Sequence, residues 1–201
     1  MVASLTAGAV LGLSAGIVPG PLLALVISQT LKYSVKEGMK VAAAPLITDV
    51  PIIGVSLFVV SELSRMEPLL GIVSLLGGLY VLYMAYEGFS ARPGDAGSGQ
   101  GAAHSFTKGA LINALNPHPY LFWITVGAPF VVQGGAAGSG VAFVMSFYGL
   151  LVGSKVTLAW VVGKSRGFLT SRAYVVAMRL LAVLLVFFAL MLFANALSLL
   201  R

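Results

Sequence analysis

Six stretches of the chain are almost unbroken runs of apolar residues, at 4–31, 39–61, 68–88, 107–132, 140–163 and 174–199, with the polar positions gathered between them. Each is about 20 residues or longer, the length an α-helix needs to cross the hydrocarbon of a bilayer. None alternates in and out as a barrel strand does. The pattern predicts six membrane-spanning helices, the first long enough to cross with a kink at its middle. Between the third and fourth lies SARPGDAGSGQGAAHS (90–105), whose Gly and Ser content reads as a flexible linker. The expected organisation is a three-helix unit over 1–89, a Gly/Ser-rich linker over 90–106 and a second three-helix unit over 107–201.

Composition agrees with the pattern. The chain is 59% hydrophobic and 9% charged, with a mean hydropathy of +1.00. A soluble domain carries about 25% charged residues. In lipid only helices and closed barrels satisfy their backbone, so the expected fold class is an all-α integral membrane protein. With no cysteine, disulfides, thiol redox chemistry and thiolate metal sites are excluded. The N-terminus lacks the basic region of a cleavable signal peptide, so the first helix reads as retained.

The net charge of +6 does not mark a nucleic-acid binder, because the basic residues sit at helix ends and not on one patch. Lys32, Lys36, Lys40, Arg92, Lys108, Lys164, Arg166 and Arg172 fall in loops on one side, against Arg65 and Arg201 on the other. Positive charge is retained on the cytoplasmic side, which predicts cytoplasmic basic loops and both termini outside.

Three helices per half means that the halves enter the membrane in opposite orientations, so likeness between them is an inverted repeat. Laying Pro117 on Pro19 also lays Pro119 on Pro21, each triplet near the middle of the first helix of its half. Proline lacks an N–H and clashes with the carbonyl four residues back. Helices 1 and 4 are therefore expected to break at Pro-x-Pro, freeing the carbonyls of Ala15, Ile17, Asn113 and Leu115. Irregular backbone at membrane depth survives only when buried in protein or lining a wet cavity. Two such breaks would meet centrally and aim half-helix N-termini at an anionic group, the plan of many secondary transporters. Pro19, Gly20, Pro21, Asn116, Pro117 and Pro119 are thus candidate substrate-binding residues. Gly8, Gly12, Gly16 and Gly20 fall every fourth residue on helix 1, which suits close helix packing.

Two ionisable residues lie within spans. Asp49, flanked by Pro45 and Pro51, sits near the centre of helix 2, where an aspartate costs about 2.5–3.5 kcal/mol on insertion scales. It must face the interior, and a carboxyl withdrawn from water exchanges a proton more readily, so Asp49 is the candidate for substrate binding and for proton coupling. Lys155 lies in helix 5, the counterpart of helix 2, with three readings open: partial snorkelling, a pair with Asp49, or contact with a substrate carboxylate. Asn113, Asn116 and His118 cluster on the helix 4 break, where they can satisfy freed backbone or touch substrate. Trp123 reads as core, Glu87 as interfacial and Gln29 as a helix-end polar residue. The chain carries no carboxylate–histidine cluster for a resident metal, no glycine-rich phosphate loop and no nucleophile–base pair, so neither an enzyme nor a cofactor is expected.

These residues resemble the lysine exporter (LysE/RhtB) family. The likeness is carried by GIVPGPLLALVISQTL (16–31), the basic turn KYSVKEGMK (32–40) before a helix with Asp49, GGLYVLYMAYEG (77–88) and FTKGALINALNPHPYLFW (106–123). The resemblance implies a multi-pass protein of the inner (cell) membrane that exports amino acids or similar small carboxylate-bearing metabolites, driven by the proton gradient. Thr48-Asp49 stands where the family has Gly-Asp, and Asn116-Pro117-His118 where it has Asn-Pro-Lys. The partners implied are an amino-acid substrate, protons and the lipid bilayer, with a homo-oligomer left open and no nucleic acid. The alternatives are an exporter of metal cations or other small solutes, and a membrane scaffold in which Asp49 and Lys155 form a structural pair.

Overall fold

The computed structural model describes residues 1–18, 20–59, 67–90, 92, 104–127, 131, 137–165 and 171–200. Among these the regular structure is helical, with no strand. Pro19, most of the linker expected at 90–106, and Arg65, Arg166 and Arg201 lie outside the described residues.

Helix α1 (Val2–Ile17) ends where Val18 leaves helical geometry, and α2 (Pro21–Lys32) begins after Gly20, which is extended. Pro21 suits the first helical position because its fixed φ is already helical and its missing N–H would be unpaired there anyway. The axes of α1 and α2 differ by 61°. Ser34 opens α3 (Val35–Ala42) by accepting the Glu37 N–H at 3.4 Å, the Ser-x-x-Glu pattern of a capped helix start. A turn at 43–44 leads into α4 (Pro45–Val59), and α5 covers Glu67–Phe89. The next stretch comes in short pieces: α6 (Ser105–Ala114), α7 (Pro117–Phe122) and a π-helical turn at Trp123–Gly127. Helices α8 (Ala137–Ser165) and α9 (Ser171–Leu199) have 29 residues each, or about 43 Å at 1.5 Å per residue.

By length and composition, three described stretches can cross a membrane: Val35–Ser56, Gly138–Ser165 and Arg172–Leu199. The bent pair α1–α2 brings the number to as many as four. The two other stretches expected to span correspond to α5, with 23 residues, and to the divided α6–α7 segment.

Helix α9 buries Tyr174, Met178, Ala182, Leu185, Ala189, Leu192 and Ala196 at intervals of three and four, packing on α5. Its outward residues Leu180, Val183, Phe187 and Leu190 are also apolar and more than half exposed. A helix apolar on both faces, with one face bare, suits a lipid surround.

The directions of the helices follow from paired contacts. Gly8, Gly12 and Gly16 of α1 lie against Phe143, Phe147 and the Leu151–Ser154 turn of α8, in the same order, so the two helices run parallel. A side chain at any of the three glycines would run into α8. Along α6, Gly109 meets Val41 and Ala44 while Asn113 meets Thr48 and Asp49, so α6 runs parallel to α3–α4. Gly78 and Gly88 of α5 meet Phe193 and Ala182 of α9 in reversed order, an antiparallel pair. Helix α2 lies at the centre, touching α3, α6, α8 and α9. At the end carrying Lys32, Lys36 and Lys40, polar contacts tie the start of α6 to the earlier helices. Ser105 Oγ donates to the buried Gln29 Oε1 at 3.0 Å, and Lys108 pairs with Glu87 at 2.8 Å.

Candidate functional site

Among the described side chains of α4 the buried positions are Pro45, Asp49, Ile52 and Ser56, so Asp49 is in phase with the face that packs inward. It is only 4% exposed. Its Oδ1 accepts from Asn113 Nδ2 on α6 at 2.6 Å, and its Oδ2 accepts from the Tyr148 hydroxyl on α8 at 2.8 Å. Asn113 uses the same amide nitrogen to reach Thr48 Oγ1 at 2.8 Å, and Thr48 in turn donates to the Ala44 carbonyl at 3.1 Å. The acid therefore gathers donors from α6 and α8, as a buried carboxylate must.

Lys155 obeys the same rule on α8. The buried stripe there is Phe143, Phe147, Leu151, Lys155 and Ala159, one residue per turn, so the lysine occupies a core register. It is 3% exposed and does not snorkel. Its Nζ donates to the carbonyls of Ala15 at 3.1 Å and Gly16 at 3.2 Å, in the last turn of α1. Those carbonyls are the negative end of the α1 dipole, where a cation is stabilising. Ala15 is also the residue whose carbonyl Pro19, having no N–H, cannot serve. Asp49 and Lys155 are not hydrogen-bonded to one another: the acid is held by Asn113 of α6 and Tyr148 of α8, and the lysine by the last turn of α1.

The α6–α7 junction accounts for its own backbone. The Asn113 carbonyl accepts the Asn116 N–H at 3.2 Å, and the Ala114 carbonyl accepts the Tyr120 hydroxyl at 2.9 Å. Gly77 of α5 leaves room for the Leu115 carbonyl, which any side chain there would meet. Asn116 caps α7, its Oδ1 accepting the His118 N–H at 3.1 Å. Pro117 is buried, Pro119 half-buried, and His118 exposed. At the other junction Pro21 is buried, Gly20 half-buried, and a side chain at Gly20 would meet open space. The structure thus brings Asp49 to Asn113, and Lys155 to the end of α1, while His118 stands at the surface.

Two residues of the Asp49 cluster are absent from the sequence-based candidates. Tyr148, whose hydroxyl meets the carboxylate, stacks on Trp123 with ring centroids 6.1 Å apart. The available signal was spacing: Tyr148 precedes Lys155 by seven residues, two turns, and so shares its face. Among the described residues, no group of three or more His, Cys, Asp or Glu is placed to hold a metal ion.

The chain matches a known family. The family described as LysE type translocator covers residues 13–200, most of the chain. No curated protein and no solved structure matches it.

Proposed function

The chain belongs to the LysE type translocator family, a family of membrane transporters, and on that premise we propose that it exports amino acids or similar small carboxylate-bearing metabolites in exchange for protons. The observation that carries this reading is Asp49, a buried acid that draws donors from α6 and α8 within one bundle. A membrane carboxylate so placed can hold a substrate ammonium or a proton, though not both at once. If it releases its proton before pairing with the ammonium, export is coupled to proton entry.

The proposed site is drawn around the two helix interruptions. It comprises Pro19, Gly20, Pro21, Asp49, Asn113, Asn116, Pro117, His118, Pro119 and Lys155, to which Tyr148 and Trp123 are added. The substrate carboxylate is met by Lys155 and by the first turn of α2, whose backbone N–H groups follow Gly20. The proposed topology is six spans in two inverted repeats, with basic loops cytoplasmic, both termini outside and access alternating around the centre. Helix directions support it. The first helix of each half runs parallel to the second helix of the other, as α1 with α8 and α6 with α3–α4, and the third helices α5 and α9 are antiparallel.

The test is efflux of preloaded, labelled amino acids from proteoliposomes, with and without an imposed pH gradient. Gradient-driven efflux of one side-chain class, lost in Asp49→Asn while the protein remains folded, is expected. Efflux of no amino acid from well-folded wild type would overturn the reading. Metal-ion efflux or loss of assembly in Asp49→Asn would point instead to a cation exporter or a scaffold.

A further inference from the structure

Asp49 and Lys155 are each over nine-tenths buried, carry opposite charges, and make no ion pair with one another among the described contacts. Their partners correspond. The register that lays Pro117 on Pro19 also lays Asn113, the partner of Asp49, on Ala15, the partner of Lys155. The second helix of each half therefore sends its charge to the same point on the first helix of the other half, just ahead of the interruption. Neither charge is neutralised there. Lys155 spends two of its three N–H donors on uncharged carbonyls, and Asp49 takes its hydrogen bonds from uncharged amide and hydroxyl groups.

Building on the amino-acid reading, we infer that Asp49 and Lys155 form a double lock, released together only by a molecule that brings an ammonium to Asp49 and a carboxylate to Lys155. A simple amine satisfies the acid and leaves Lys155 on the end of α1. A simple carboxylate frees α1 and leaves Asp49 on α6. A zwitterion exchanges the neutral partners of both charges for ionic ones and frees both first helices in one event. Lys155 is then a positioning residue for α1 as well as a substrate contact. Specificity lies in the pair of charges, because a site built around a polar group rejects analogues that lack it far more strongly than those that differ by a methylene.

The experiment has two arms on purified, reconstituted protein. In the first, amide hydrogen exchange is followed over residues 12–18 without substrate, in wild type, Lys155→Met and Lys155→Arg. Exchange at least tenfold faster in Lys155→Met, and restored toward wild type in Lys155→Arg, is expected. Equal exchange in wild type and Lys155→Met overturns the lock on α1 whatever is transported. If neither variant folds, the same readout is applied to Ser154→Val, one residue away in the α1–α8 contact. There, exchange over 12–18 as fast as that expected for Lys155→Met overturns the lock by assigning the hold on α1 to general packing, and near-wild-type exchange supports it. In the second arm, L-leucine, L-threonine and L-lysine are each compared with the amine lacking the α-carboxylate and the acid lacking the α-amino group. Export of either analogue within twofold of its parent overturns the proposal, and a loss of at least tenfold for both supports it. Failure of all three amino acids in wild type, with the exchange result intact, refutes the amino-acid reading, and the zwitterion requirement falls with it.

Discussion

Asn113 offers one amide nitrogen to two acceptors, Asp49 and Thr48, so the residue that steadies the acid is itself steadied from the same helix. Removing such a donor leaves a buried acceptor short, at a cost of about 1–3 kcal/mol. Asn113→Ala should lower the thermal midpoint in detergent by several degrees and slow efflux, whereas Asn113→Asp, which places two acids together, should do worse on both. Tyr148→Phe keeps the ring and its stacking on Trp123 while deleting the hydroxyl. A fall in efflux larger than the loss of thermal stability would tie that hydroxyl to the acid's function and not only to packing. Asp49 was legible in the sequence because an acid in an apolar run has few reasons to be there, and Asn113 because it sits just before a helix break. Tyr148 and Trp123 were not legible. An aromatic side chain on an apolar helix carries the same pattern whether it packs or hydrogen-bonds, and only the fold reveals which hydroxyl meets the carboxylate.

Helices meet through glycine here, and the four glycines of α1 and its junction separate into two kinds. Gly12 lies on the Phe147 carbonyl with no space for a side chain, whereas Gly20 is extended, at a φ any residue adopts, and faces open space. Gly12→Ala should therefore lower thermal stability clearly, since overpacking typically costs about 1–3 kcal/mol. Gly20→Ala should fold and melt like wild type, so any loss of efflux it causes reports on the junction itself. The fourfold spacing announced close packing of α1, but its partner, α8, is more than a hundred residues away and nothing local names it. Lys155 illustrates the same limit from the other side. Snorkelling, pairing and substrate contact were all compatible with its position in the sequence, and a buried stripe that repeats every fourth residue on α8 removes the first of them.

At the scale of the molecule the chain offers a clean experiment on orientation, because it contains no cysteine. Single cysteines at Lys36 and Ser198, both exposed, should react with an impermeant maleimide from opposite sides: Ser198→Cys in intact cells, Lys36→Cys only after lysis. Labelling of both from one side would overturn the inverted arrangement. That the chain is built of helices apolar enough for a membrane was readable from the apolar runs, whereas the contacts of Gln29 with Ser105 and Glu87 with Lys108 were not. Each looked like an ordinary polar residue at a helix end, and cross-chain pairing has no local signature. The crossed attachment of Asp49 and Lys155 bears finally on how the protein is made. Ribosomes deliver α4 before α6 and α8 exist, so a nascent first half carries an acid in lipid with none of its eventual donors. The second half, released alone, would carry a lysine with no helix end to bind. Each half is thus an orphan that quality control can recognise, and each is the other's chaperone. Severing the chain between Ser90 and His104 should yield fragments that are degraded when expressed singly and accumulate when expressed together. Asp49→Asn should rescue the first fragment, and Lys155→Met the second.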